Sequence, residues 1–574
     1  MNARRTLLKA AAALPWRDRW RCTAWLWHTG RGHRLQALLN TSLGVASVLT
    51  ALLFVWATKL TVDIATHADH RLTLTQALAL LSGLALVEIL LGVASRWVRA
   101  LLGVKAQNAL RATLFAHLLR CEWQGLKAYH SGDLLNRMEK DASAVVTYLT
   151  ESLPQLVTTL VQFAGAFLFL FALDRALALL VVALLPVVFV VSRLYVRRMK
   201  TLTHRIRTTE STIQSLVQES VQHALVIKTL ERSPAVLGHL AARQDELRRE
   251  VRERTRYATT SSTVMNVGFA AGYLLTFAWG VVCLEEGAIT YGALMAFIQL
   301  VGQIQGPARS LTRFVPVIVG AYTAAERLME IERVEEEPTN GVPRPVDSPV
   351  GIRLNDVTFA YTPGGRTVFR HFDFDFAPGS RTAVVGETGV GKTTLVRLLL
   401  GLVRPTGGTI ALYGSRGEAP VSPTTRSCFA YVPQGNSLLS GTVRSNLLLG
   451  DPDADEEAMF RALHAAGADF VRALPDGLNT RCGEQGDGLS EGQAQRICIA
   501  RTLLRKAPVM VFDEATSALD STTEETVVRR IVAMFPRQTL IFITHRPAVL
   551  AYCTRQLRLS RTPDSDTATK APRT

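Results

Sequence analysis

The sequence predicts an α-helical membrane domain with six spans, followed by an α/β domain that carries a phosphate-binding loop and a helical subdomain. Three observations support this architecture. The chain has 574 residues, more than one hydrophobic core usually organises. Its long apolar runs lie before residue 320, whereas the remainder has the composition of a soluble α/β domain. The pattern G-x-x-x-x-G-K-T at residues 386–393 lies between an apolar strand pattern and an apolar helix pattern, as a phosphate-binding loop requires.

The formal net charge of +16 is compatible with two classes of protein. Nucleic-acid-binding proteins are basic, and so are membrane proteins that keep Lys and Arg in their cytoplasmic segments. The basic residues here flank apolar runs, so the sequence favours a membrane protein with no nucleic-acid partner. None of the seven cysteines forms a C-x-x-C pair, so neither a zinc site nor a disulfide framework is indicated.

Residues 1–34 are predicted to form a cytoplasmic elbow at the membrane interface. Arg4 and Arg5 resemble the start of a twin-arginine export signal, but the apolar run behind them is short. The basic, Trp-containing stretch from Trp16 to Trp27 is typical of a segment that lies along the interface. We therefore expect an interfacial segment and not a cleaved signal.

Six apolar segments are long enough to cross a bilayer, which takes about 20 mostly apolar residues. The sixth contains Gln299, Gln303 and Gln305, a pattern typical of a buried helix that lines a polar pathway. Helices two to five are expected to continue into the cytoplasm, with a turn at 129–133 and a short transverse helix within 214–229. The predicted spans are 36–58, 72–95, 152–173, 176–196, 262–283 and 291–315.

Loop charge predicts the orientation of these spans. Residues 1–34, 96–140 and 193–257 are rich in Arg and Lys, whereas the other three loops are short and not notably basic. Because Lys and Arg accumulate on the cytoplasmic side, both termini are predicted to be cytoplasmic. We expect an integral protein of a bacterial inner (cytoplasmic) membrane.

The phosphate-binding loop should bind ATP together with Mg²⁺. Its glycines let the main chain wrap around phosphates, so that N–H groups point inward at the start of a helix. Lys392 is expected to reach the β- and γ-phosphates, and the Thr393 hydroxyl is expected to bind Mg²⁺. The predicted nucleotide-binding residues of the loop are Gly386, Glu387, Thr388, Gly389, Val390, Gly391, Lys392, Thr393 and Thr394.

An acidic pair follows a second buried strand pattern. The apolar residues Val509 to Phe512 precede Asp513 and Glu514. Such a pair at the end of a strand is often only a helix cap. Downstream of a phosphate-binding loop, however, Asp513 is placed to bind Mg²⁺ and Glu514 to polarise the attacking water. The sequence therefore predicts an ATP hydrolase.

Further motifs complete this set. Leu489-Ser490-Glu491-Gly492-Gln493 lies between the loop and the acidic pair, and the others are Tyr361, Gln434 after Val432-Pro433, Ser517-Ala518-Leu519-Asp520, and His545 after Ile543-Thr544. With this set, the chain from about residue 36 to 555 resembles ATP-binding-cassette (ABC) exporters of the half-transporter type, which fuse a membrane domain to a nucleotide-binding domain. The resemblance implies the six-span exporter fold with long cytoplasmic helix extensions, and transport coupled to ATP hydrolysis.

The resemblance also implies how two chains share ATP. Two nucleotide-binding domains would face each other head to tail, with ATP between the phosphate loop of one and Ser490, Gly492 and Gln493 of the other. The commonest signature of the family has Gly where this chain has Glu491. We expect the Glu491 side chain to point away from the phosphates. The implied partner is a second copy of the chain or a related half-transporter.

Single residues receive roles from the same resemblance. Tyr361 would stack on adenine, Gln434 would sense Mg²⁺ and the membrane domain, and His545 would contact the γ-phosphate and orient the water. Asp520 would couple the two ATP sites. The turn that contains Gly132 and Asp133, together with the segment 214–229, would form the coupling helices between the two kinds of domain.

Three functions remain open. The first is an exporter that moves an amphipathic substrate (a lipid, a peptide or a small hydrophobic compound) from the cytoplasm or inner leaflet outward by alternating access. The alternatives are a lipid flippase and an ATP-gated channel or regulator. Because Glu514 and His545 are both present, the sequence favours a motor that turns over ATP. Membrane lipids and the amphipathic substrate are its other expected partners.

Glu88 lies near the middle of the second span, where an ionised carboxylate costs about 2.5–3.5 kcal/mol on insertion scales. Under one interpretation it is protonated or hydrogen-bonded to Gln162 or Gln303 and holds helices together. Under the other it lines the substrate cavity and contacts a cationic or hydrogen-bonding part of the substrate. Its expected neighbours there are Gln299, Asn266, Phe163, Tyr273 and Trp279.

The domain boundaries follow from these assignments. They are the elbow at 1–34, a transmembrane domain at 35–325, a linker at 326–349, a nucleotide-binding domain at 350–560, and a disordered tail at 561–574.

Overall fold

The computed structural model describes residues 16–129, 131–338, 349–362, 364–415, 417–483, 488–560 and 569–570. The chain divides into two compact units. The first unit contains Met1–Ala116 and Ser131–Arg333, and the second contains His117–His130 and Val334–Thr574. The elbow prediction for residues 1–15 lies outside the described residues.

The first unit is built from long helices. An initial helix, α1 (Trp16–Thr29), exposes Trp20 and Trp27, as an interfacial elbow would. Four of the six long helices that follow are long and apolar enough to cross a membrane over the described residues, namely α2, α3, α5 and α8. In the last long helix, α9, three glutamines lower the mean hydropathy. The six are α2 (Arg34–Ala65), α3 (Leu74–Arg120), α5 (Ser131–Leu173), α6 (Arg175–Gln222), α8 (Ser233–Glu285) and α9 (Tyr291–Glu332).

Several of these helices are much longer than a membrane is thick. Helices α3, α6 and α8 have 47, 48 and 53 residues. At a rise of about 1.5 Å per residue they extend roughly 70–80 Å, against a hydrocarbon core of about 30 Å. The predicted extensions beyond the spans are therefore confirmed. Two short helices, α4 (Trp123–Leu126) and α7 (Ala224–Thr229), lie between long ones, and α7 falls within the predicted transverse segment.

Two predicted boundaries are wrong. Helix α9 continues to Glu332, so residues 326–332 of the predicted linker are helical, and Ala324, Ala325, Leu328 and Ile331 are buried along it. In the predicted disordered tail, Thr569–Lys570 forms a short strand that pairs with Arg555–Leu559. Residues 339–348 of the linker, and the tail residues 561–568 and 571–574, lie outside the described residues.

The second unit contains the sheets. A four-stranded antiparallel sheet has the order β2-β1-β4-β5, and a six-stranded sheet has the order β12-β11-β3-β10-β9-β6, parallel except for β12. Strands β7 and β8 form a separate pair. The strands are β1 (Gly351–Ala360), β2 (Thr367–Phe376), β3 (Arg381–Gly386), β4 (Gly407–Gly414), β5 (Gly417–Pro420), β6 (Phe429–Val432), β7 (Gly441–Thr442), β8 (Arg481–Cys482), β9 (Val509–Asp513), β10 (Thr539–Ile543), β11 (Arg555–Leu559) and β12 (Thr569–Lys570).

The parallel sheet is covered on both faces. Along β9, Val509 and Val511 belong to one hydrophobic core, and Met510 and Phe512 belong to the other. Parallel strands that are buried on both faces have continuous apolar sequences, which explains the apolar run from Val509 to Phe512. Besides α4, the described α-helices of this unit are α10 (Lys392–Leu399), α11 (Val443–Leu448), α12 (Glu456–Ala465), α13 (Glu491–Leu504), α14 (Ser521–Met534) and α15 (Pro547–Leu550).

Within the first unit, Asp63 joins α2 to α9. Its buried carboxylate accepts a hydrogen bond from the main-chain N–H of Gly292 at 3.0 Å and pairs with the Lys59 amine at 2.8 Å. Gly292 is in the first turn of α9, where main-chain N–H groups lack partners within the helix and favour an anion. A Cβ at Gly292 would lie 2.2 Å from the Lys59 carbonyl oxygen and 2.5 Å from Asp63 Oδ1. Only glycine fits this contact.

Replacement of Gly292 by alanine should therefore destabilise the protein by about 1–3 kcal/mol, as overpacking does elsewhere. We expect Gly292→Ala to lower the thermal unfolding midpoint of the purified protein. Gly320→Ala is the matched control, because a Cβ at Gly320 of the same helix meets no atom within 4 Å. Equal midpoints for the two variants would contradict the tight contact.

Candidate functional site

The phosphate-binding loop connects β3 to α10 with a main chain that needs glycine. Gly389 and Gly391 have φ values of 77° and 114°, in the left-handed region. A Cβ at Gly391 would also lie 2.9 Å from Val368 Cγ1. The loop therefore closes tightly, and its N–H groups gather at the start of α10, where an anion binds favourably.

The structure brings together four predicted residues from different segments of the chain. They are Lys392, His545, Glu514 and Gln434. The Lys392 amine donates to the Gly386 carbonyl oxygen at 2.8 Å, contacts Nε2 of His545, and lies 3.9 Å from Glu514 Oε1. The Gln434 amide donates to Glu514 Oε2 at 2.7 Å. The loop lysine, the acidic strand end, Gln434 and His545 are therefore close neighbours.

The side chains of Asp513 and Thr393 suit a magnesium ion whose remaining ligands come from phosphate and water. Asp513 is buried, its pKa is raised by that burial, and the Tyr431 hydroxyl donates to its Oδ2 at 3.3 Å. Within the described ranges, no three His, Cys, Asp or Glu side chains are arranged so that they could hold a metal ion by themselves. Mg²⁺ usually takes one or two carboxylates and fills its shell with phosphate oxygens and water, so Asp513, the Thr393 hydroxyl and the Gln434 amide oxygen suit it.

Glu514 has a strained main chain. Its φ of 48° lies in the left-handed region, which costs a non-glycine residue about 1–3 kcal/mol. A hydrogen bond of 3.0 Å from the Glu514 N–H to the Ile543 carbonyl oxygen stabilises this strained conformation. Strained residues of this kind cluster at functional sites, because the surrounding structure fixes them there.

The predicted signature begins helix α13. Ser490 caps this helix: its hydroxyl accepts from the Gln493 N–H at 3.2 Å, and Gln493 Oε1 accepts from the Ser490 N–H at 2.9 Å. A Cβ at Gly492 would lie 2.9 Å from the Ala518 carbonyl oxygen, so glycine allows a close approach. Glu491 is exposed in the first turn, where its charge is favourable.

The sequence reasoning missed two residues that connect these motifs. Gln495 is buried and donates to the Glu514 carbonyl oxygen and the Ser517 hydroxyl, both at 3.3 Å, while it accepts from the Ala518 N–H at 3.0 Å. Arg546 donates to the Leu519 carbonyl oxygen at 2.8 Å and to that of Ser517. Both lie next to recognised motifs, but only the fold shows that they hold Glu514 and residues 517–519.

Apart from Thr394 of the phosphate loop, the neighbours of Tyr361 are residues that no motif indicated. Arg397 donates to its hydroxyl at 2.7 Å, and that hydroxyl also bonds to Thr394 at 3.1 Å. The Arg397 guanidinium lies 4.5 Å from the Trp123 ring of α4, and Gln124 donates to the Tyr361 carbonyl oxygen at 3.0 Å. The short helix α4 therefore packs beside the predicted adenine-stacking residue.

The three predicted coupling residues are divided between the two units, with Asp520 in the second. Asp520 caps α14 by accepting from the Thr523 N–H at 2.9 Å, and hydrogen bonds from the Thr522 hydroxyl and this N–H hold its pKa well below the usual range. Gly132 and Asp133 belong to the first unit. There Asp133 pairs with Arg137 and Arg327, each at 2.9 Å.

A cavity of about 610 Å³ lies within the first unit. Glu88 and Gln299 both line it, together with Gln162 and Gln303, whereas Asn266 and the three aromatic residues predicted beside it are not among the lining residues. The full lining is Ala51, Phe54, Val55, Glu88, Gln155, Thr158, Thr159, Gln162, Gln299, Gly302, Gln303, Gly306, Pro307 and Ser310.

The fold and the site define an integral membrane protein in which a helical membrane domain is fused to an ATP-binding domain of the phosphate-loop class. The chain belongs to the ABC transporters. The profile described as ABC transporter transmembrane region matches residues 37–308, and the profile described as ABC transporter matches residues 369–517.

Similar proteins have the same two-part architecture. An uncharacterized ABC transporter ATP-binding protein of Sinorhizobium fredii is 30% identical over 465 residues, which cover 78% of each chain. An ATP-dependent lipid A-core flippase of Chromobacterium violaceum is 29% identical over 475 residues, 81% of this chain and 80% of that one. A solved bacterial Atm1-family ABC exporter with ATP bound has a TM-score of 0.76 at 24% identity and covers 92% of this chain and 94% of its own, which shows a shared fold.

The contacts of Gln495 predict its role as a positioning residue. Gln495→Ala removes the side chain that accepts from the Ala518 N–H and donates to the Glu514 carbonyl oxygen and the Ser517 hydroxyl, at a cost of about 1 kcal/mol in stability for each lost hydrogen bond. Because Glu514 loses the hydrogen bond from Gln495 that helps to position it, we expect ATP turnover to fall about tenfold or more, while the KM for ATP stays nearly unchanged. Gln495→Glu retains an acceptor for Ala518 and should recover stability more than turnover. A Gln495→Ala variant with wild-type turnover would contradict this role.

Proposed function

We propose that this chain is an ATP-driven exporter that moves an amphipathic molecule from the cytoplasm or inner leaflet outward by alternating access. The observation that carries the proposal is the convergence of Lys392, His545, Glu514 and Gln434 beside a glycine-rich loop. An ABC half-transporter with a complete set of these groups is equipped to hydrolyse ATP and not only to bind it.

The geometry supports a division of labour in hydrolysis. The Lys392 ammonium and the loop N–H groups bind the β- and γ-phosphates, and Mg²⁺ would neutralise charge that develops on the phosphate oxygens. The Glu514 carboxylate accepts a hydrogen bond from the attacking water and orients it, while the Gln434 amide fixes this carboxylate. His545 lies against Lys392 and donates to the γ-phosphate once the lysine turns to the nucleotide.

We infer that the working unit is a homodimer. Each chain carries both a phosphate loop and an anion-binding helix start at Ser490 and Gly492, so two copies can form two equivalent ATP sites. In such a dimer Asp520, at the start of α14, would couple the two sites. The segment that contains Gly132 and Asp133, together with the segment 214–229, would transmit motion between the two kinds of domain. A related half-transporter could replace the second copy.

A lipid flippase is the second candidate. The lipid A-core flippase of Chromobacterium violaceum aligns along 81% of this chain, and its name states that its substrate is a lipid. The same ATP-hydrolysing domain would serve both functions. The two differ in whether the substrate leaves the membrane, and transport assays with a soluble acceptor separate them.

Mutation of Glu514 tests the proposed hydrolysis. Glu514→Gln should leave ATP binding nearly intact and lower turnover by orders of magnitude, because only activation of the water is lost. Lys392→Ala should weaken binding and turnover together. The measurements are equilibrium ATP binding and phosphate release by the purified protein in lipid. Hydrolysis at nearly the wild-type rate by Glu514→Gln would remove Glu514 from the mechanism.

Thiol labelling tests the proposed orientation. On a cysteine-free background, single cysteines at Glu285 and Arg71 should react with an impermeant reagent added to intact cells, because both residues are exposed and lie at connections that we propose to be external. A cysteine at Arg248, which is 67% exposed on α8, should react only after permeabilisation. Labelling of Arg248 in intact cells would reverse the orientation and place the ATP-binding domain outside.

A further inference from the structure

The cavity in the first unit contains an excess of hydrogen-bond acceptors among its described residues. The hydroxyls of Thr158 and Thr159 both donate to the Gln155 carbonyl oxygen, at 3.0 and 2.6 Å. The Ser310 hydroxyl donates to the Gly306 carbonyl oxygen at 3.1 Å. Each hydroxyl has one proton, and that proton is already used. These three side chains therefore offer only oxygen lone pairs to a ligand.

Glu88 and Gln303 add acceptors that have no partner. Glu88 is partly buried and makes neither a hydrogen bond nor an ion pair with any residue in the described ranges. The Oε1 atom of Gln303 is buried and has no hydrogen-bond partner there. An ionised carboxylate has no donor at all, and no Lys or Arg occurs among the lining residues that the structure describes.

The structural interpretation of Glu88 fits these contacts poorly. A carboxylate that only holds helices together should bond to its polar neighbours, and Gln162 and Gln303 line the same cavity without bonding to it. A buried polar atom without a partner costs about 1–3 kcal/mol. Such a cost is recovered when a ligand supplies the missing donor.

We propose that this cavity binds a cationic amphiphile with N–H donors, whose ammonium group lies against Glu88 and Gln303. The proposal rests on the proposed export function and specifies its substrate class. The volume of about 610 Å³ is adequate for a molecule of ordinary ligand size. Phe54, Val55 and Pro307 supply an apolar wall for the alkyl part. An anionic amphiphile would be repelled by Glu88 and would find only the amide N–H groups as donors.

The test compares three probes with the same alkyl chain. Dodecylammonium carries charge and N–H donors, dodecyltrimethylammonium carries charge alone, and dodecanoate is an anion. The full-length protein is placed in nanodiscs of zwitterionic lipid, and protein-free discs correct for partitioning into the lipid. Two quantities are measured for each probe: equilibrium binding of the radiolabelled compound, and the concentration that half-maximally stimulates ATPase activity.

We expect dodecylammonium to bind about tenfold more tightly than dodecanoate, which corresponds to about 1.4 kcal/mol, with dodecyltrimethylammonium between them. Glu88→Gln keeps the size of the side chain but removes its charge, and should abolish the preference for cation over anion. Gln162→Glu on this background returns a carboxylate to the cavity and should restore the preference. Gln303→Leu should weaken dodecylammonium more than dodecyltrimethylammonium, because it removes an acceptor without changing the charge.

The matched control is Glu285→Gln, which removes the same charge from an exposed loop and should leave the preference unchanged. The proposal is overturned if the wild-type protein binds dodecanoate as tightly as dodecylammonium, or if Glu88→Gln retains the full preference. If the wild-type protein hydrolyses no ATP, the proposed export function fails instead, and the binding measurement still decides the chemistry of the cavity.

Discussion

The parallel register of β3, β10 and β9 is the constraint on which the nucleotide site depends. Val384 is paired with Ile543, and Ile543 is paired with Asp513. The ladder continues beyond the strands, because the Glu514 N–H bonds to the Ile543 carbonyl at 3.0 Å and the Thr544 N–H to the Val384 carbonyl at 3.3 Å. The loop lysine, the acidic pair and His545 consequently begin at one edge of the sheet. A slip of one residue would turn every side chain of a strand to the opposite face and separate these groups.

Burial on both faces fixes that register. Leu540 and Phe542 of β10 pack in one core, and Ile541 and Ile543 pack in the other. A slip of one residue would exchange the side chains of the two faces and disrupt the packing of both cores. The same apolar residues that stabilise the domain therefore also align the groups of the nucleotide site. The surrounding structure stabilises the strained conformation of Glu514. The strand before it is packed on both faces, and Glu514 itself is hydrogen-bonded to Gln495 and to the Ile543 carbonyl oxygen.

The sequence predicted the parts of the structure that local patterns encode. The phosphate loop, the acidic pair and the signature each lie in one short segment. The loop was placed correctly between a strand and a helix, and the acidic pair was placed correctly at the end of a strand. Gln495, Arg546 and Trp123 were missed because their partners are distant along the chain. Gln495 and Glu514 are 19 residues apart, and Gln124, next to Trp123, is 237 residues from Tyr361. The linker boundary was a different error. The helical spacing of the buried residues Ala324, Leu328 and Ile331 was present in the sequence and indicated that α9 continues.

The two polar sites of this molecule differ in how their groups are satisfied. In the nucleotide site, Lys392, Glu514, Gln434 and Ser490 all have partners within the protein, so a bound nucleotide must exchange existing hydrogen bonds for new ones. Such a site is preorganised, and its residues are recognisable as motifs because the ATP-binding domains of ABC transporters share one kind of ligand. In the transmembrane cavity, Glu88 and Gln303 lack partners among the described residues, and the nearby hydroxyls use their protons on the main chain. The specificity that we propose for the cavity depends on which of its acceptors lack a hydrogen-bond donor. Helix packing determines which acceptors these are, so no short sequence motif encodes this specificity.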